Sequence, residues 1–368
     1  MKVSGIVIKT SYDKVGDTSS VTLFGKTMLQ WVELAVQAPV AIVDYDENLS
    51  VPQNIRQCID PSSDYTVVLY SDTPLITAKT VSQAIKEAVR SGANVIKMTR
   101  GYVFKTEFVL KVDQIYSLET KYFDEEDFIA AQSFKQIALI SEIMRNRILH
   151  YHMRNGVMIE DIASTFIGSE VSIGKGVRIA PNNTIGGNTV IKDNVRIQTG
   201  NNIDSCIIES GVDIRSTYAY HSYIGKNTQV GPFANIREDN VIGENCKIGD
   251  FVELKKCQIG NNCKISHLSY LGNVIMDENC NVGAGVVFAN YDGKNYQSTK
   301  VGKNVFIGCK STIVAPVTLN DGAFIAAGST ITSSVSSNAL AIARARQIEK
   351  PTWKGNLYVT NTTDEKNL

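Results

Sequence analysis

The sequence has no surplus of charge: thirty-seven Lys and Arg residues balance thirty-seven Asp and Glu. A neutral chain lacks the electrostatic footprint for a nucleic-acid backbone or an acidic membrane, which excludes bulk binding to either. No apolar run approaches the roughly eighteen residues of a membrane span, and the apolar part of the opening MKVSGIVIKTSYD is too short for a secretory signal. The expected location is the cytoplasm. Histidine is scarce, at 150, 152, 221 and 267, with only two in the repetitive half of the chain, so a three-histidine zinc site is not expected. The seven cysteines (58, 206, 246, 257, 263, 280, 309) contain no CxxC pair, and the plain expectation for most is a buried packing thiol.

What the chain does have is a six-residue period from about Ile167 to Ile331. Ile224, Val230, Ile236, Ile242, Ile248 and Leu254 form one unbroken run, and Val301, Ile307, Ile313, Leu319, Ile325 and Ile331 another. Neither a 3.6-residue helix nor an ordinary hairpin repeats at six, and Gly, Asn or Asp follows the aliphatic position again and again. Each unit reads as a short strand plus a corner. A small residue four places on (Val171, Thr228, Cys246, Val252, Cys263, Ala323) completes the interior. Three units close a triangular coil of about eighteen residues, and coils stack at roughly 4.8 Å. The period breaks at Tyr218 to Tyr223, Leu254 to Ile259 and Phe288 to Lys300, where loops are expected to leave one face and carry the site.

Ahead of the repeats, Gly5–Ile8, Ala41–Asp44 and Tyr65–Tyr70 are β-rich runs separated by helical patterns at Met28 to Val36 and Val81 to Val89, which predicts parallel strands in a three-layer sandwich. Phe24-Gly-Lys-Thr-Met-Leu29 and Leu69-Tyr-Ser-Asp-Thr-Pro-Leu-Ile76 resemble the G-K-P-M-L and G-D-x-P-L steps of the nucleotidyltransferase half of the bifunctional N-acetylglucosamine-1-phosphate uridylyltransferase / glucosamine-1-phosphate acetyltransferase family. The resemblance makes Asp72 a vestigial Mg²⁺ position; on its own it reads as a turn residue at a strand end. The family's glycine-rich triphosphate loop is replaced by Lys9-Thr-Ser-Tyr-Asp-Lys-Val-Gly-Asp-Thr-Ser-Ser20, its second Mg²⁺ ligand falls on Gln132, and the stretch carrying the uridine and sugar contacts is missing. Uridylyl transfer is expected to be lost, with Mg²⁺ needed only if it survives. From Asp124 to Asn155 the pattern turns helical, with Ile137, Ile140, Met144 and Ile148 on one face and His150 and His152 read as surface groups.

Within the repeats, Arg237 and Lys255 hold equivalent positions eighteen residues apart and therefore stack about one strand spacing from each other. Two readings stand: a dianion sits between them, or Glu238, Asp239 or Glu253 compensates them on a solvated face. His267 lies at an outward position, and an imidazole that titrates near pH 7 can take a proton from an amine as it attacks a thioester.

Five segments, Pro232-Phe-Ala-Asn-Ile-Arg237, Val252-Glu-Leu-Lys255, His267-Leu-Ser-Tyr-Leu-Gly272, Asn281-Val-Gly-Ala-Gly285 and Ala289-Asn-Tyr-Asp-Gly293, resemble in order the acetyltransferase half of the same family. The resemblance implies a left-handed parallel β-helix with His267 as general base, Arg237 and Lys255 on the sugar phosphate, and Tyr270 and Asn281 positioning the amino sugar. It places acetyl-CoA against Ala284, Asn290, Tyr291, Cys309, Ala327 and Arg344, where Cys309 replaces a Ser. Tyr296 stands where the family usually has Lys. The implied organisation is an α/β remnant nucleotidyltransferase (Rossmann-like) domain at 1–118, a linker helix at 119–156, the β-helix at 157–335 and a C-terminal arm and tail at 336–368, in a homotrimer. Residues past Tyr358 are read as disordered. The expected activity is acetylation of glucosamine-1-phosphate by direct transfer. Its rivals are another amino-sugar phosphate as acceptor, prompted by Tyr296, and a non-catalytic trimeric scaffold that binds CoA or sugar phosphate.

Overall fold

The computed structural model describes residues 1–116, 118–351 and 353. The first unit is built on a five-stranded sheet in the order Val40–Asp44, Val3–Lys9, Tyr65–Tyr70, Gly101–Lys105, Val95–Met98. The first three strands run parallel, as expected. The last two form an antiparallel hairpin, which makes the sheet mixed rather than wholly parallel. Its turn is Thr99-Arg100, and Gly101 (φ 132°) takes the backbone conformation that closes it.

Strand alternation sorts the core. Val7, Val67, Leu69 and Val103 meet the helices Met28–Val36 and Ala78–Ser91 on one face. Ile6, Ile8, Val68 and Phe104 meet Ile55, Ile59 and Val109 from short helical turns on the other. Gly5 has to be glycine, since a Cβ there would stand 2.6 Å from Val36.

The connecting helix spans Phe134–Arg154, starting ten residues later than the sequence pattern suggests. Ser133 caps it by accepting from the Gln136 N–H. The acidic run before it is drawn into the first unit instead: Asp127, 2% exposed, accepts from Thr77, Thr80 and Arg147. Along the helix, Ile140 and Met144 pack on Met28 and Leu75, while Leu149 joins the core of the repeats, so one element belongs to both cores. His152 is buried, not a surface group, and burial pushes its imidazole below the ordinary value.

The repeats wind into three sheets of eleven, ten and nine short parallel strands, the parallel β-helix that the period predicts. Ile224 lies beside Ile242, Val230 beside Ile248 and Ile236 beside Leu254, as an eighteen-residue coil requires. The inward aliphatic positions of all three sheets, from Ile214 to Ile331, are essentially fully buried, each such side chain contributing about 1.5–3 kcal/mol. Asn194, Asn227, Asn245, Asn262, Asn279 and Asn304 hold left-handed corners that an amide tolerates. The small slot holds more cysteine than the spacing indicates: 206, 246, 257, 263 and 280 are all buried, and burial pushes the Cys206 and Cys257 thiols up to about 11.

Of the three breaks, only Phe288 to Lys300 leaves the prism. The pairing there joins Ile275 to Lys300, a coil lengthened to 25 residues. The other two are shortened corners: Tyr218 pairs with Asn235 and Gln258 with Ile275, each a coil of 17. No described helix is long and apolar enough to cross a membrane. The expectation for residues past Tyr358 lies outside the described residues.

Candidate functional site

His267 ends the strand Lys264–His267, where Leu268 turns the chain with φ 50°. The Leu268 N–H donates to the Asp250 carbonyl and Ser269 Oγ donates to the His267 carbonyl, so this corner is fixed directly above that of the preceding coil. His267 Nδ1 lies 2.5 Å from Asp250 Oδ1. Asp250 was not among the expected site residues; its signal in the sequence is a carboxylate one shortened coil, seventeen residues, before the histidine.

The same corner recurs upward. Gly285 N–H donates to the His267 carbonyl, Lys310 to Ala284 and Gly328 to Cys309, so Asp250, His267, Ala284, Cys309 and Ala327 form one column. From His267 to Ala327 is three strand spacings, about 14 Å. Cys309 is exposed, and among the described residues the N–H groups of Ala284, Cys309 and Ala327 donate to nothing in the chain. Arg344 closes the top, its Nη1 donating to the Ala327 carbonyl at 2.8 Å.

Round the corner, on the ten-stranded sheet, Arg237 and Lys255 lie side by side on adjacent coils. They are not unpaired: Arg237 sits 3.1 Å from Glu253 and 3.8 Å from Glu238, and Lys255 3.9 Å from Glu238. The Glu253 hydrogen bond raises the Arg237 value despite some desolvation. Next up the sheet, Tyr270 Oη donates to Asn290 Oδ1 at 3.4 Å, and Asn290 Nδ2 to Asn273 at 2.8 Å. A Cβ on Gly272 would stand 2.4 Å from Asn290 and 2.6 Å from the Tyr270 hydroxyl, so glycine permits this packing. Asn290 is thus buried beside Tyr270, away from the corner column with which it was grouped.

The loop that leaves the prism carries Tyr291 and Tyr296, with ring centroids 4.9 Å apart, and the Lys255 ammonium lies 5.2 Å from the Tyr296 ring. Tyr296 therefore covers a cation instead of adding one. Asn281 is held elsewhere: it lies in the eleven-stranded sheet beside Lys264 and Phe306, a different face from Tyr270.

In the first unit, Asp72 is fully buried at the end of Tyr65–Tyr70. Arg100 donates to both of its oxygens, at 2.8 and 2.6 Å, and Tyr12 Oη donates to Oδ2 at 2.5 Å. The Arg100 guanidinium also lies over the Tyr70 ring at 4.5 Å. Arg100 and Tyr12 take three of the carboxylate's roughly four acceptor sites and the guanidinium already balances its charge, so the residues here do not fit Mg²⁺.

Comparison with known proteins matches residues 218–292 to the family described as the GMPPB C-terminal domain and residues 298–333 to the bacterial transferase hexapeptide (six repeats). The chain is similar to the bifunctional protein GlmU of Clostridium kluyveri, 47% identical over 228 residues, which is 62% of this chain and 50% of the relative. The protein of that name from Clostridium beijerinckii is 45% identical over the same shares. The chain thus spans about half the length of the curated relatives it matches, and the likeness, over 228 residues, extends beyond the stretch from Pro232 to Gly293 that carries the motifs. A solved UDP-N-acetylglucosamine acyltransferase from Bacteroides fragilis overlaps 48% of this chain and 69% of its own, with 18% identity and a TM-score of 0.33.

Proposed function

We propose that the protein transfers the acetyl group of acetyl-CoA to the amine of glucosamine-1-phosphate, in the cytoplasm and as a homotrimer. The observation that carries this reading is the single corner column: a histidine held by a carboxylate, followed coil by coil by Ala284, Cys309, Ala327 and Arg344. Small side chains and undonated N–H groups suit a narrow acyl-pantetheine arm, and Arg344 its phosphate end. An ionised carboxylate only accepts hydrogen bonds, so His267 Nδ1 carries the proton and Nε2 is left to accept another.

In the reaction the sugar amine attacks the thioester carbonyl carbon and His267 Nε2 takes the amine proton. The Ala284 N–H stabilises the tetrahedral oxyanion. The C–S bond then breaks, the C–N bond stays, and the His267 imidazolium returns the proton to sulfur, so that CoA leaves as the thiol. Arg237 and Lys255 bind the sugar phosphate, which enters by displacing Glu238 and Glu253. Because Tyr270 and Asn281 stand on different faces, a site using both draws them from neighbouring prisms, which is the reason for the trimer. Cys309 serves as a small wall of the arm's groove, and no acyl-enzyme is formed.

Thiol release from acetyl-CoA with and without glucosamine-1-phosphate tests the reading; sugar-dependent release should vanish in His267→Ala. Sugar-independent or undiminished release in the variant would sink it. The Tyr296 ring over Lys255 favours a second reading, in which the acceptor is another amino-sugar phosphate. In that case Tyr296→Lys should raise kcat/KM for glucosamine-1-phosphate, whereas unchanged kinetics remove the reason for the alternative. Uridylyl transfer is lost on this reading, because Asp72 is committed to Arg100. Formation of a UDP-sugar from UTP and Mg²⁺ would contradict that.

A further inference from the structure

We infer that Asp250 is the residue that positions His267, a carboxylate–imidazole dyad built across two successive coils. The inference rests on the acetyltransferase reading above. Three observations carry it. The two side chains meet at 2.5 Å. Their backbones are in register on the eleven-stranded sheet, and the Leu268 N–H donates to the Asp250 carbonyl, so the separation is set by strand spacing rather than by two flexible chains finding each other. Asp250 makes no other ion pair among the described residues, so the contact is not one edge of a wider surface network.

The chemistry follows from the acceptor-only carboxylate. It fixes the Nδ1–H tautomer, aims Nε2 outward, and stabilises the imidazolium that forms when the amine proton is taken. The charged groups around the ring are few. Asp250 lies on the coil before, Ala284 and Gly285 on the coil after carry none, and the Lys310 side chain lies across Gly285 from the coil beyond. Lys247 and Lys264 occupy the same sheet three residues back along each strand. Asp250 is the only anion at this corner among the described residues, so its removal should be felt.

The experiment compares the intact protein with Asp250→Asn, Asp250→Glu and His267→Ala in the thiol-release assay. For Asp250→Asn, kcat should fall by on the order of 10- to 100-fold, part of what a positioned base supplies, with KM for both substrates little changed. A loss confined to kcat marks a positioning role, since a merely structural one would lower stability or raise KM as well. Asp250→Glu should recover part of the rate. An Asp250→Asn enzyme with unaltered kcat, beside a dead His267→Ala, would overturn the dyad and leave the base intact. Activity surviving in His267→Ala would overturn both. A measurement free of substrate guards against a wrong acceptor: the His267 ring nitrogens, read by 15N NMR, should report the Nδ1–H tautomer in the intact protein and lose that preference in Asp250→Asn, and identical ring signals in the two would overturn the proposal. Asn is isosteric, so an unchanged far-UV spectrum and thermal midpoint are expected.

Discussion

Asp72 and Arg100 show how much one buried contact constrains. The carboxylate has no solvent exposure and both its oxygens are used, so truncating its partner strands an uncompensated charge inside the first unit. Arg100→Ala should destabilise that unit by about 3–5 kcal/mol. The urea midpoint, read from a probe in residues 1–116, measures it, and an unchanged midpoint would mean that the carboxylate is open to water. From sequence, Asp72 reads equally as a turn residue or a metal relic, because nothing in a linear chain says that Arg100, twenty-eight residues on, returns to it. The hairpin Val95–Lys105 makes that return, and it escaped notice because its two short runs lack a recognisable turn signal. The same limit hid Asp250. Its meeting with His267 depends on a coil one residue shorter than the period; the break after Leu254 marks the shortening in the sequence, but the pairing register is what shows which two side chains it brings together.

Among the elements, the helix Phe134–Arg154 was legible in its apolar face and not in its start. Ile137, Ile140, Met144 and Ile148 give the period, but Asp124 to Asp127 look like an acidic first turn until Thr77, Thr80 and Arg147 are seen to claim Asp127. His152 was misjudged for a related reason: a helix end is exposed only if nothing docks on it, and the first coils do. That burial makes a pH prediction. The folded imidazole stays neutral, whereas in the unfolded chain it takes a proton near its ordinary value of about 6.5. Stability is therefore complete above that pH and declines as the pH falls below it, where the unfolded state binds the extra proton. His152→Gln should flatten the loss of urea midpoint between pH 7 and pH 5, and parallel curves for the two proteins would refute it. Apart from Asp250, the members of the corner column were legible one at a time, as positions that the family resemblance singles out. That they form one line was not, because the 25-residue coil hides the register.

For the molecule as a whole, the repeats were the most legible part, because a period of six recurring over more than a hundred residues leaves one architecture. The first unit was less so, since only part of its alternation is parallel. In the repeats each coil touches only the coil before and the coil after, and the long coil re-enters register at once, with Lys300 beside Thr318. Among the described residues such a prism has no contact that spans its length. Held at its ends in a force measurement, it should unravel from the free end like thread from a spool, each coil of about eighteen residues releasing on the order of 60 Å of contour. The extension trace should be a ladder of near-equal steps with one longer step where the loop lies; a single abrupt rip would mean that the coils are tied together in a way no pairing here accounts for.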